Sequence, residues 1–163
     1  MNPRTLVALG LLTMLAAAPS FAGEQDCADV ATATTNVDRL DGDIERLRDE
    51  RKAKEADTQG QINAASRALI ASGAWTEDDR ASFFKKLVKS GDFKDLEKQK
   101  AQELKLFGAA AETMTTRRGE GNYPLACVSA NEMRSRLLTL GTINDKQYEL
   151  MLAKIQTVSS KKP

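Results

Sequence analysis

Cys27 and Cys127 are the only two cysteines in a chain of 163 residues, and no histidine accompanies them. A thiol–imidazole or hydroxyl–imidazole catalytic pair is therefore excluded, and so is a histidine-containing zinc site. Two thiolates cannot complete a four-sulfur site, and the Cys-x-x-Cys spacing of a redox pair is absent. A metal would have to be held by carboxylates alone, and no acidic loop has the spacing of a calcium hand. No metal or cofactor site is expected. Carboxylate chemistry is what remains. Cleaving a glycan needs two acids at fixed separation, one of them in an apolar pocket that raises its pKa. Glu120 in GEGNY is the only acid placed in a loop beside an aromatic ring, Tyr123. Loop flexibility and solvated charge account for that pairing more simply, so catalysis at Glu120 is the minor alternative.

The compartment decides how the thiols are read. Arg4 precedes the apolar stretch LVALGLLTMLAAA (6–18), and Ser20 and Ala22 supply the small residues a signal peptidase selects. Residues 1–22 are expected to be a cleaved secretory signal, because the stretch is too short to span a bilayer. Its removal takes away Arg4, one of 24 basic residues, and none of the 23 acidic ones, leaving a balanced chain. Balanced charge gives no electrostatic reason to favour nucleic acid or an anionic membrane. A periplasmic or secreted location follows, with no stable membrane insertion after cleavage. There Cys27 and Cys127 are expected to form one intrachain bridge that staples the fold, with an intermolecular bridge or two free thiols as alternatives.

The elements that must position these residues are helices. Alanine, leucine, lysine, glutamate and arginine dominate, proline is nearly missing after residue 22, and no β-branched run alternates with period two. The expected fold is all-α: a long antiparallel helical hairpin, coiled-coil-like, with short capped helices. A first helix is predicted over 27–71. Its opening half carries a heptad, with Val30, Val37 and Ile44 at one seam position and Ala33, Leu40 and Leu47 at the other. The seam then turns polar at Arg51, Lys54 and Thr58. A second, short helix is predicted over 77–90. A third, over 93–116, repeats Phe93 as Leu104 and Leu96 as Phe107, with Ala111 and Met114 extending the face. It is long enough to lie antiparallel on the first. Residues 117–128, glycine-rich and closed by Pro124, read as a loop that returns the chain to Cys127. Two further helices, 129–140 and 145–158, are expected to form a C-terminal hairpin within the single domain 23–163.

Two stretches carry similar punctuation. GAWTEDDRASFFKKL (73–87) and GTINDKQYELMLAKI (141–155) each place a glycine after a helix, then an apolar residue, then a cap. The caps are Thr76 with Asp79 and Asn144 with Gln147, both spaced as a capping box. Ile143 is placed to meet Tyr148 as a staple, and Trp75 to meet Arg80 as a cation–π pair. Shared local physics explains this pattern better than an internal repeat does, because any helix–glycine–cap–helix corner converges on it.

EMRSRLLTLGTINDKQYELMLAKI (132–155) resembles the short C-terminal helical hairpin called SHOCT, which implies oligomerisation or small-scale protein interaction. WTEDD (75–79) and INDKQ (143–147) are similar to the Leu-Thr-x-x-Gln elements of Spy/CpxP-like periplasmic chaperones. That resemblance implies an exported helical dimer binding unfolded clients or sensor domains. The function expected is protein–protein interaction without catalysis, by an adaptor or a self-associating bundle. A chaperone is the first alternative and a carboxylate-based cell-wall glycan hydrolase the second. Trp75, Phe83 and Phe84 are the candidate partner contacts, against the simpler reading that they fill the core. Val30, Val37, Leu40, Ile44 and Leu47 could join two copies, or could pack within one chain.

Overall fold

The computed structural model describes residues 26–159, so the expected leader, residues 1–22, lies outside the described residues. Four helices follow in order: α1 (Val30–Ala71), α2 (Glu77–Leu87), α3 (Gly91–Gly119) and α4 (Tyr123–Ser159), with no strand among the described residues. The all-α reading holds.

Local chemistry sets most of the boundaries. Asp29 caps α1 by accepting from the Thr32 amide at 2.9 Å. At the other end Gly73 takes a left-handed φ of 69°, which lets Ala74 and Trp75 donate back to the Leu69 carbonyl. The expected capping box opens α2: the Asp79 amide donates to Thr76 Oγ1 at 3.1 Å, and the Thr76 amide donates to Asp79 Oδ2 at 2.9 Å. Ser90 caps α3, which begins at Gly91, two residues ahead of the predicted start.

The loop expected over 117–128 is corrected to three residues, 120–122, between α3 and α4. Gly121, with φ of 73°, makes the turn, and Asn122 Oδ1 accepts from the Leu125 amide at 3.3 Å. Pro124 therefore opens a helix instead of closing a loop. It is tolerated because the first turn does not need its missing N–H.

The C-terminal hairpin is also corrected. The segments 129–140 and 145–158 belong to one 37-residue helix. Gly141 keeps helical backbone angles, since only Gly73 and Gly121 have positive φ among the described residues. Asn144 and Gln147 cap nothing. Leu137, Leu140, Ile143, Asn144 and Gln147 are all buried across the would-be turn. Tertiary burial of a continuous face outweighs the cost of one interior glycine.

The bridge at Cys27 and Cys127 joins the beginnings of α1 and α4, with a Cα–Cα distance of 5.6 Å. The two helices then run parallel: Arg134 Nε lies 3.8 Å from Asp43, and one level further Lys54 Nζ lies 2.6 Å from Asp145. α3 runs antiparallel to both, as expected for α1. Arg118, at its end, reaches Asp38 and Asp41 near the start of α1, each at 2.7 Å. α4 packs along both α1 and α3 and completes a three-helix bundle. Two apolar clusters fill it. The one beside the bridge holds Val37, Leu40, Ile44, Met114, Met133 and Leu137; the distal one holds Ile62, Leu69, Trp75 and Ile155.

Candidate functional site

Between the two clusters, alongside the buried Leu140 and Ile143, lies a layer of polar side chains, the waist of the bundle, to which both helices of the parallel pair contribute. On α1 the apolar seam gives way to Arg51 and Lys54. At the same level α4 offers Gly141 and Asn144 in place of large apolar side chains. A cleft of about 250 Å³ opens there between α1 and α4. Leu47, Leu137, Leu138 and Tyr148 form its apolar walls, and Glu50, Arg51, Lys54 and Asp145 its charged rim.

The rim charges are matched. Lys54 pairs with Asp145, Glu55 with Arg51 at 3.3 Å, and Glu50 with Arg46 at 2.7 Å. Beneath them two amides of α4 reach in opposite directions. Asn144 Nδ2 donates to Glu55 of α1, and Gln147 Nε2 donates to Glu97 of α3. Both amides are buried. A buried polar group requires partners with specific placement, so this layer holds α4 in one register between its neighbours. Asn144 Oδ1 is itself buried and has no hydrogen-bond partner among the described residues. Tyr148, on the cleft wall, has its hydroxyl pKa raised by burial first and by the charge of Glu55 second, with Arg51 opposing. It is a hydrogen-bond donor at neutral pH.

The residues singled out from sequence fall elsewhere. Cys27 and Cys127 are bridged, and Asn131 Nδ2 lies 3.4 Å from Cys27 Sγ. Trp75, Phe83 and Phe84 come together at the far tip: Trp75 and Phe83 are 4.9 Å apart between ring centroids, and Phe83 meets Phe84 edge-on at 5.3 Å. Trp75 is only 8% exposed, packed with Ile62, Leu69 and Ile155, while Phe83 and Phe84 are half-buried. Trp75 therefore belongs to the core. Arg80 does not stack on it; its guanidinium donates to Ser66 and Asn63 of α1. The cation–π contact is instead Arg48 over Phe107, at 5.2 Å.

The heptad seam is consumed inside one chain. Val37, Leu40 and Ile44 are buried against α3 and α4, Leu47 packs beside them, and only Val30, 60% exposed, stays open. Leu104, expected on the inner face of α3, is exposed, and Ala110 is buried instead. Glu120 sits exposed at the α3–α4 turn, its carboxylate 2.9 Å from Arg117, and Tyr123 packs on the apolar cluster beside the bridge. Among the described residues no acid, thiol or imidazole grouping could hold a metal ion, and no helix is long and apolar enough to cross a membrane.

The sequence conceals the waist, because the spacing of Asn144 and Gln147 also fits a helix cap. One signal was available. The α1 seam turns polar at Arg51 and Lys54, and a partner helix must answer that with small or polar residues, as Gly141 and Asn144 do. Comparison of the chain with known protein families, with curated proteins and with solved structures finds no match. Fold and site define a disulfide-tied three-helix bundle with a cleft between α1 and α4 at its waist.

Proposed function

We propose that this is an exported, non-enzymatic helical protein that acts by binding another exported protein. The observation that carries the reading is the outward face of α4. Leu125 and Val128 are left exposed there, and Leu138, beyond Glu132 and Ser135 on the same helix, reaches the apolar walls of the waist cleft. Rigid helices on either side and a covalent tie at one end pre-organise that surface, which lowers the entropic cost of docking. Burial of Val37, Leu40 and Ile44 within one chain favours a different protein as partner over a second copy.

The glycan-hydrolase alternative draws no support from Glu120, which is paired with Arg117 and solvated where a general acid needs an apolar pocket. The SHOCT resemblance implies a turn at Gly141, and α4 runs through it. The chaperone alternative differs in its client. It requires suppression of aggregation of many denatured proteins, whereas an adaptor holds one folded partner.

Crosslinking in the exported fraction, followed by affinity capture, tests the proposal. A defined protein recovered in constant stoichiometry is expected. Recovery of a broad set of denatured proteins, together with holdase activity, would replace the adaptor by the chaperone. Light scattering over a concentration series is expected to show a monomer.

A further inference from the structure

α4 packs closely on α1 and on α3, whereas α1 and α3 do not pack closely on each other. A groove is left between them, floored by Leu137 and Leu140 of α4 and widening to a cleft of about 260 Å³. It lies across α4 from the face that carries Val128 and Leu138. The charge of its lining is one-sided. Arg48, Arg51 and Lys52 of α1 border the cleft, and no carboxylate among the described residues does. The nearby acids account for two of these cations. Glu55 lies 3.3 Å from Arg51, and Asp49 lies 3.8 Å from Lys52 with both side chains 80% exposed, where such a pair counts for little. Glu45, one turn before Arg48, is exposed and makes no ion pair with it. Arg48 is thus left over. Its guanidinium rests on the Phe107 ring at 5.2 Å and has no carboxylate partner among the described residues. Stacking occupies the plane of the group and leaves its in-plane N–H donors unspent. Beneath this rim the surface is apolar: Leu104 is 46% exposed, Phe107 half-buried, and Leu137 and Leu140 lie behind them.

We infer that this cleft binds a small anionic amphiphile, a medium-chain fatty acid whose carboxylate meets Arg48 and whose chain lies on Leu104 and Phe107 toward Leu140. The site is separate from the α4 face assigned to a protein partner, and either reading can fail without the other. A carboxylate matches the guanidinium fork with two parallel hydrogen bonds. With Glu55 opposite Arg51 and Asp49 opposite Lys52, one further negative charge balances the lining. The apolar floor calls for an aliphatic body behind that charge, which inorganic phosphate or sulfate does not offer. At about 260 Å³ the cleft falls just below the range of about 300–1,000 Å³ that takes drug-sized ligands, so it suits a short chain and not a fused ring system.

The test titrates the full, oxidised protein with octanoate, octan-1-ol and octylammonium, each below the concentration at which it self-associates, and reads amide and methyl NMR shifts. Saturable shifts at Leu104, Phe107 and Leu140 are expected for octanoate, about tenfold weaker binding for octan-1-ol, and none for octylammonium. Hexanoate should bind more weakly, by about fourfold for each methylene lost from the floor. Arg48→Gln should weaken octanoate binding about tenfold, and Arg67→Gln, at an exposed position elsewhere on α1, should leave it unchanged. Leu104→Ser, also at an exposed position, should weaken it with helicity retained. Equal binding of octanoate and octylammonium, an unchanged affinity in Arg48→Gln, or the absence of saturable shifts overturns the inference. A peptide ending in a free leucine carboxylate that shifts these residues where octanoate does not overturns the fatty-acid occupant in favour of a chain terminus.

Discussion

Single side chains separate the roles that composition alone leaves mixed. Trp75 was a candidate partner anchor, and its burial makes it a structural residue. Trp75→Ala is expected to cost about 3–5 kcal/mol of folding stability, read from denaturant unfolding, while leaving partner capture proportional to the folded fraction. A variant with unchanged stability and lost capture would restore the anchor reading. Gly141 gives the opposite expectation. Because a Cβ there meets open space, Gly141→Ala should stabilise the protein by about 1 kcal/mol, the difference in helix propensity. A stabilising change that also narrows the cleft would place Gly141 among residues kept for function at some loss of stability. Arg118 shows the reverse case. It bonds both Asp38 and Asp41, yet all three are substantially exposed, so Arg118→Ala should alter stability by no more than about 1 kcal/mol.

At the level of elements, helix starts were legible and helix continuity was not. Thr76 with Asp79 forms a box whose chemistry is local, so four residues suffice to predict it. Hydrogen bonds from the Thr76 amide first, and its hydroxyl second, hold the Asp79 carboxyl below the usual aspartate range. Since the folded value is the lower one, the capping contribution is present above the unfolded aspartate pKa. It is lost as pH falls through the folded value. NMR titration should find Asp79 protonating below an ordinary aspartate, and Thr76→Ala should return it toward that value. The same spacing at Asn144 and Gln147 misled, because a capping pattern does not show whether the chain behind it bends. That depends on Glu55 and Glu97, which lie far away in sequence and claim both amides. Pro124 is ambiguous for a related reason: a proline marks either a loop or a first helical turn, and Asn122 decides which by capping. The seam of α1 was legible as a stripe. Its partner was not, since α4 carries its apolar positions on a face shared between two neighbours.

For the molecule as a whole, the bridge is the one covalent constraint between distant parts of the chain. It closes a separation of 100 residues, so reduction is expected to lower stability by about 4–5 kcal/mol in the chain-entropy view. Thermal unfolding with and without reductant measures this directly; a negligible change would mean that packing alone sets the register. With α1 running 42 residues at about 1.5 Å each, the bundle is a rod of about 63 Å. Its joined helices point the same way, which gives the arrangement the mechanics of a clothes-peg: sprung at Cys27 and Cys127, with jaws meeting where Trp75 closes on Ile155. Thermal breathing must then start at the jaws, and deuterium uptake near Ile155 should precede uptake near Ala130. Whatever wedges into the gap between α1 and α4 halfway along works against that hinge, so a bound guest would loosen the jaws or be gripped by them.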